Sequence, residues 1–356
     1  MNKQGGKYMK RRQICAIAAT LGLILAGLPV FAEDTDDSAS VPIERTLTYP
    51  SDGGVHPADT AFTYTVSPVT SQADPSTAGT AQADTVFNGP VGGLTADGKD
   101  TVSDTNPSLY TGAGLRANVS AFSPYGPGIY EYSLTENQTD TAGVKRDSTV
   151  YLVDVFVTED AAGTLQIAGI EAFREGASAT GAKSRSIDFS GPYETEHVTL
   201  TKKIEGNQAE TGRKFPFTCT LTGEPGKTYT YQIGSGAYTA VVNAKGTTTI
   251  EGNITLGDNE TLTVYGLTEN DTYTFTETEA DGYRQTYAVN GGRQTEAVRG
   301  ATGTETMGTT DQSVIYTNTK AGLVPTGILS GATSWLVISG AVVVFGVFFL
   351  RKWRTQ

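Results

Sequence analysis

Three residues in the C-terminal half of this 356-residue chain have types and positions that could form a covalent bond. In VTLTKKI, strand alternation puts Val198, Leu200, Lys202 and Ile204 on one face and Lys203 on the other. In TYTFTETE, Tyr273, Phe275 and Glu277 share a face, and in VIYTNT, Val314, Tyr316 and Asn318 do. An amine, a carboxyl and a carboxamide thus each end an apolar face, where a lone ammonium is costly. One resolution is a buried Lys–Glu salt bridge with Asn318 as a hydrogen-bond partner. The other is chemical. Burial favours the neutral forms of both lysine and glutamate. A neutral Lys202 amine can attack Cγ of Asn318, while a protonated Glu277 polarises the amide and carries protons as ammonia leaves. The product is a Lys–Asn isopeptide bond, formed once, with no metal or other cofactor.

Strands must position these groups. No long segment has a helical apolar period, but short alternating runs recur throughout the chain. Examples are Phe62, Tyr64, Val66; Tyr151, Val153, Val155, Val157; and Phe215, Phe217, Cys219, Leu221. Gly, Asn, Asp and Thr clusters separate them, which predicts an all-β protein of antiparallel sandwiches. An approximate repeat divides the body. GIYEYSLTENQ (128–138) matches NDTYTFTETEA (270–280), and TAFTYTVSP (60–68) matches RKFPFTCTL (213–221). Two Ig-like domains are expected, at 42–193 and 195–320. Cys219 shares a face with Phe215, Phe217 and Leu221 and is expected to be a buried apolar residue. His56 and His197 are the only histidines and lie near no candidate nucleophile or metal cluster, so a secreted enzyme has little support.

The ends describe export and anchoring. Lys3, Lys7, Lys10, Arg11 and Arg12 precede an apolar run to about Val30, and Val30 and Ala32 suit a cleavage site, so residues 1–32 read as a secretory signal. Residues 328–350 are uncharged and apolar and are followed by Arg351, Lys352 and Arg354, the pattern of a single membrane span with a cytoplasmic basic tail. All 38 Asp and Glu lie between these ends, and the formal net charge of −12 argues against nucleic-acid partners. Once the signal and its Cys15 are removed, Cys219 stands alone and no intrachain disulfide can form. Five Asn-x-Ser/Thr sequons, at Asn118, Asn137, Asn253, Asn259 and Asn270, are read as a by-product of a Thr-rich chain.

LVPTG, residues 323–327, just ahead of the apolar run, resembles the cell-wall sorting signal of Gram-positive surface proteins: an LPxTG-like pentapeptide, an apolar span and a basic tail. Here Pro325 sits one place late, after Leu323 and Val324. The resemblance implies that a sortase thiolate attacks the Thr326 carbonyl and releases Gly327 onward. The mature chain also resembles the two-domain major pilins of the streptococcal T-antigen type, with TLTKK, TYTFTE and YTN supplying Lys202, Glu277 and Asn318. That resemblance implies a cell-surface pilus subunit with isopeptide-containing Ig-like domains. Its partners would be pilin and housekeeping sortases, other pilin subunits and a peptidoglycan precursor.

Domain one departs from the pattern. Arg45 in PIERTL and Gly191 in DFSGPY stand where lysine and asparagine would be, and only Glu136 in EYSLTE remains. A guanidinium is no nucleophile and glycine has no carboxamide, so no bond is expected there. An Arg45–Glu136 ion pair is expected instead. The resemblance places the lysine that joins one subunit to the next at Lys183 in GAKSRSIDF, with Lys145 and Lys320 as alternatives. The rival reading is a minor pilin or monomeric wall-anchored adhesin that binds a host ligand through polar loops at 70–85, 91–108 and 289–312.

Overall fold

A computed structural model describes residues 40–322 except 52–53, 77–84, 104–105, 176–186 and 279. The signal, the LVPTG motif, the apolar run and Lys183 lie outside the described residues. Among those that are described, no helix is long and apolar enough to cross a membrane.

The first half contains β1 (Ser40–Thr48), β2 (Tyr64–Pro68), β3 (Val86–Asn88), β4 (Leu94–Asp97) and β5 (Thr101–Ser103). It continues with β6 (Asn106–Ala117), β7 (Gly128–Glu136), β8 (Val150–Glu159), β9 (Leu165–Arg174) and β10 (Ile187–Pro192). One sheet runs β10-β1-β6-β4, with β5 also on β6; the other runs β2-β7-β8-β9, with β3 also on β7. The second half holds β11 (Glu196–Glu205), β12 (Phe215–Thr222), β13 (Thr228–Ile233), β14 (Gly236–Val241) and β15 (Thr247–Leu256). After these come β16 (Thr261–Leu267), β17 (Thr272–Glu277), β18 (Arg284–Val289), β19 (Thr295–Glu296), β20 (Glu305–Thr306) and β21 (Gln312–Thr319). Its sheets are β14-β13-β16-β11-β21-β18-β19 and β15-β12-β17-β20.

Period-two alternation explains the layering. β8 and β11 each alternate buried and half-buried residues, so one face of each strand enters a core. Two separate cores result, one led by Phe62, Tyr130, Tyr132 and Phe189, the other by Phe215, Phe217, Tyr273 and Tyr316. Each fully buried large apolar side chain contributes about 1.5–3 kcal/mol. Cys219 sits in the second core with no exposed surface, and burial pushes its thiol far above the usual range.

Two expectations need correction. The pairing is not wholly antiparallel, because in each half the first and last strands pair in parallel: β1 with β10, and β11 with β21. The polar stretches 91–108 and 289–312 are not simple loops, since they hold β4, β5, β19 and β20. These strands are too short and too polar to show an apolar period.

Four of the five sequon asparagines have structural work. Asn259 and Asn270 adopt left-handed φ of 62° and 73°, a conformation asparagine tolerates better than most residues. Asn118 caps a short 3-10 helix by accepting from the Ser120 N–H, and Asn137 bonds Thr63 and Thr65.

The first core also buries a carboxyl. Asp100 has no exposed surface and accepts from the Ala113 N–H at 2.8 Å and from the Tyr64 hydroxyl. Burial pushes Asp100 up to about 6, against the opposing pull of those two donors. The folded state therefore holds a proton that the unfolded chain has already released between the ordinary carboxylate value and pH 6. This group's contribution is most favourable at low pH and declines as pH rises to about 6. Denaturant midpoints of the parent and Asp100→Asn, compared from pH 4.5 to 7.5, should show the parent losing more stability over that window. Parallel curves would remove Asp100 as the titrating group.

Candidate functional site

The parallel pairing of β11 with β21 places Lys202 beside Tyr316 and Ile204 beside Asn318. On the opposite sheet, β12 and β17 pair Phe217 with Glu277. Lys202 Nζ lies 2.9 Å from Glu277 Oε1, and Asn318 Nδ2 donates to that same oxygen at 3.0 Å. Lys202 and Asn318 are fully buried and Glu277 nearly so. One carboxylate oxygen thus faces both the amine and the carboxamide, within two hydrogen-bond lengths of each other.

The surroundings hold this geometry. Glu277 Oε2 accepts from Gln285 Nε2 at 2.6 Å, which leaves Oε1 for the two reactive groups. The Glu277 N–H donates to Gly300 O at 2.9 Å, and the Tyr316 hydroxyl donates to that carbonyl at 2.6 Å. The Lys202 ammonium position sits 4.7 Å from the Phe215 ring centre and 5.0 Å from that of Tyr316. Burial among these rings lowers the Lys202 pKa to about 8, although Glu277 pulls the other way. Lys202 Nζ makes its close contact with Glu277 without hydrogen-bond geometry, and Asn318 Oδ1 has no partner among the described residues.

Lys227 and Asp271 form a second buried ion pair in this half. Asp271 Oδ2 also accepts from the Thr268 N–H at 2.8 Å and the Thr268 hydroxyl at 3.3 Å. Lys227 Nζ also donates to the Thr268 hydroxyl at 2.6 Å, so the cluster is closed by a side chain that offers no carbonyl to attack. This pair is structural.

Register in the first half puts Arg45, Glu136 and Gly191 in the matching places. Arg45 lies beside Phe189 and Leu47 beside Gly191, while Tyr64 faces Glu136 across β2 and β7. Even the ring beneath the cation recurs, with Arg45 4.8 Å from the Phe62 centre. Arg45 Nε donates to Glu136 Oε1 at 2.9 Å, NH2 donates to Lys145 O at 2.7 Å, and NH1 donates to Thr46 O. Glu136 Oε2 accepts from the Asp147 N–H at 2.7 Å, and Asp147 Oδ2 accepts from the Ser190 N–H at 2.7 Å. Burial holds Glu136 above the usual carboxylate range, with Arg45 and the Asp147 N–H pulling it back. A Cβ on Gly191 would come within 2.8 Å of Arg45 NH2 and 2.7 Å of Lys145 O. The guanidinium occupies the space a carboxamide would need.

Residues 42–194 match a family described as a Spy0128-like isopeptide containing domain. Residues 196–320 match a family described only as a domain of unknown function. A pilin of Streptococcus pyogenes serotype M1 is 24% identical over 241 residues, 64% of this chain and 68% of that pilin. The solved major pilin T3.2 of S. pyogenes superposes with a TM-score of 0.61 at 20% identity, covering 80% of this chain and 98% of that one. Another S. pyogenes major pilin gives 0.58 at 22% identity, with 80% and 99% covered. The chain shares the fold of these streptococcal major pilins.

In this pilin architecture Lys145 and Lys320, the alternative linking lysines, are engaged: Lys145 with Glu194 at 3.2 Å, Lys320 with Glu210 at 3.5 Å and over the Tyr283 ring. Sequence parity missed Gln285, Gly300 and Asp147. Each acts from a strand start or a turn, where no apolar period marks its side chain or carbonyl.

Arg45→Met removes the cation and leaves Glu136 buried beside an apolar chain. Domain one should lose about 3–5 kcal/mol at neutral pH, less in acid where Glu136 protonates. Chemical denaturation followed by a domain-one probe at pH 5 and pH 8 reads this directly. An unchanged midpoint would mean that the pair adds nothing.

Proposed function

We propose that this structural pilus subunit is locked by one Lys202–Asn318 isopeptide bond, polymerised through Thr326 and Lys183 by a sortase, and finally anchored to the cell wall. The observation that carries the bond is the single oxygen, Glu277 Oε1, shared at 2.9 and 3.0 Å by Lys202 and Asn318.

Moving one proton across that 2.9 Å contact turns the ion pair into a neutral amine and a neutral acid, and burial favours the neutral form of Lys202. The amine then attacks Asn318 Cγ. The Nζ–Cγ bond forms, Glu277 passes its proton to Nδ2 and takes one from Nζ, the Cγ–Nδ2 bond breaks and ammonia leaves. Hydrogen-bond accounting favours the product. An ammonium and a carboxamide bring more N–H donors than Glu277 Oε1 can accept, whereas the new amide has a single N–H for that oxygen. Domain one lacks both the nucleophile and the electrophile, and its retained Glu136 serves an ion pair.

The sortase step draws on LVPTG with its apolar run and basic tail, on the pilin architecture, and on the resemblance that puts Lys183 just before β10. A thiolate would capture the Thr326 acyl group, and the Lys183 amine of another copy would take it.

The intact mass of recombinant residues 33–326 should fall short of the sequence mass by one ammonia, and Glu277→Ala should abolish the deficit. No deficit in the parent would sink the bond, and a deficit of two would mean that domain one reacts as well. Wall extracts of a producing strain should show a ladder of covalent multimers that Lys183→Ala removes. A single band in the parent would favour the adhesin reading over the shaft subunit.

A further inference from the structure

The chain does not come free when its last strand ends. β21 stops at Thr319, yet the next three residues are gripped by the loop after β11. The Lys320 N–H donates to Glu205 O at 2.9 Å, and Lys320 O accepts from the Gln208 N–H at 3.1 Å. Asn207 holds both backbone groups of Gly322: its Oδ1 accepts from the Gly322 N–H at 2.9 Å, and its Nδ2 donates to Gly322 O at 3.4 Å. Gly206 makes the crossing possible. Its φ is +107°, and a Cβ there would stand 2.3 Å from the Lys320 carbonyl oxygen. The Gln208 side chain lies over Gly322, and the Lys320 ammonium packs 5.2 Å from the Tyr283 ring centre.

A solvated linker needs none of this, because water satisfies an exposed backbone. Four hydrogen bonds and a left-handed glycine spent on this short stretch mean that its position matters. The sorting motif LVPTG begins at the very next residue and occupies 323–327. At no more than about 3.3–3.6 Å per residue, the Thr326 carbonyl lies within about 14 Å of Gly322.

We propose that loop 205–208 is a clasp that positions the sorting peptide, with Asn207 as its positioning residue. This inference rests on the sortase reading above. The clasp fixes the chain up to Gly322, so the transpeptidase does not have to order the residues leading into the pentapeptide. Releasing the clasp frees Lys320, Ala321 and Gly322 and raises the entropy lost when the peptide is captured. The cost falls on capture of the peptide and not on the chemistry at Thr326.

The test uses the full-length chain in detergent micelles, a recombinant pilin-class sortase and hydroxylamine as the acceptor. Initial rates of the Thr326 hydroxamate product, identified by mass, are measured against substrate concentration. Asn207→Ala should raise KM about three- to tenfold with kcat unchanged. Asn207→Asp keeps the acceptor for the Gly322 N–H and should recover most of the difference. Gly206→Ala, which forces the loop off Lys320, should reproduce the Asn207→Ala effect. Retention of the ammonia deficit in each variant shows that domain two has folded. Equal KM for parent and Asn207→Ala, with both cleaved at Thr326, overturns the clasp and leaves the sortase reading intact. Failure of the parent to be cleaved at Thr326 overturns both.

Discussion

Parallel pairing of the first and last strands is the constraint on which this structure depends. It brings chain ends that are far apart in sequence side by side, and it directs a long cationic side chain from the first strand inward. A buried cation cannot remain unanswered, because removing it from water costs several kcal/mol even after relaxation. Both domains meet this cost with a carboxylate from the opposite sheet, Glu136 or Glu277, in the same register. They differ in what stands on the last strand.

That difference decides the chemistry. In domain two, Asn318 reaches the carboxylate oxygen that also faces Lys202, and the amine can be relieved of its proton. In domain one, Gly191 leaves a space that the Arg45 guanidinium fills, with its donors spread over Glu136, Lys145 and Thr46. Asp147 extends the network to Ser190 on β10, so first and last strands are joined by a chain of hydrogen bonds. Arg45 and Gly191 are therefore one feature: a carboxamide at 191 would meet the guanidinium, and a lysine at 45 would leave the Lys145 carbonyl without its donor.

Much of this was legible from strand parity alone. A side chain's face in a strand depends only on its distance from its apolar neighbours, so Lys202, Glu277 and Asn318 could be placed inward without any knowledge of pairing. The repeat between 60–68 and 213–221 likewise anticipates the register that sets Tyr64 opposite Glu136 and Phe217 opposite Glu277. Parallel pairing was not legible, because alternation is the same in either direction. Nor were Asp147, Gly300 or Asn207, which act through turns and backbone groups. The short strands β4, β5, β19 and β20 escaped notice because two to four residues, mostly polar, are too few to show an apolar period.

Force gives the two solutions different consequences. Under the proposed linkage, tension enters at Lys183, runs through β10 into the start of β11, and leaves beyond β21 at Thr326. These are opposite ends of a parallel pair, so pulling shears β11 against β21 and loads their hydrogen bonds together. A Lys202–Asn318 bond would carry that load across the pair at one point, sparing everything between the two residues. The body of domain one, from β1 to β9, hangs to the side of this path. On that path its first strand would bear no tension, so a hydrogen-bonded clamp at Arg45 would suffice where domain two would need the proposed covalent bond.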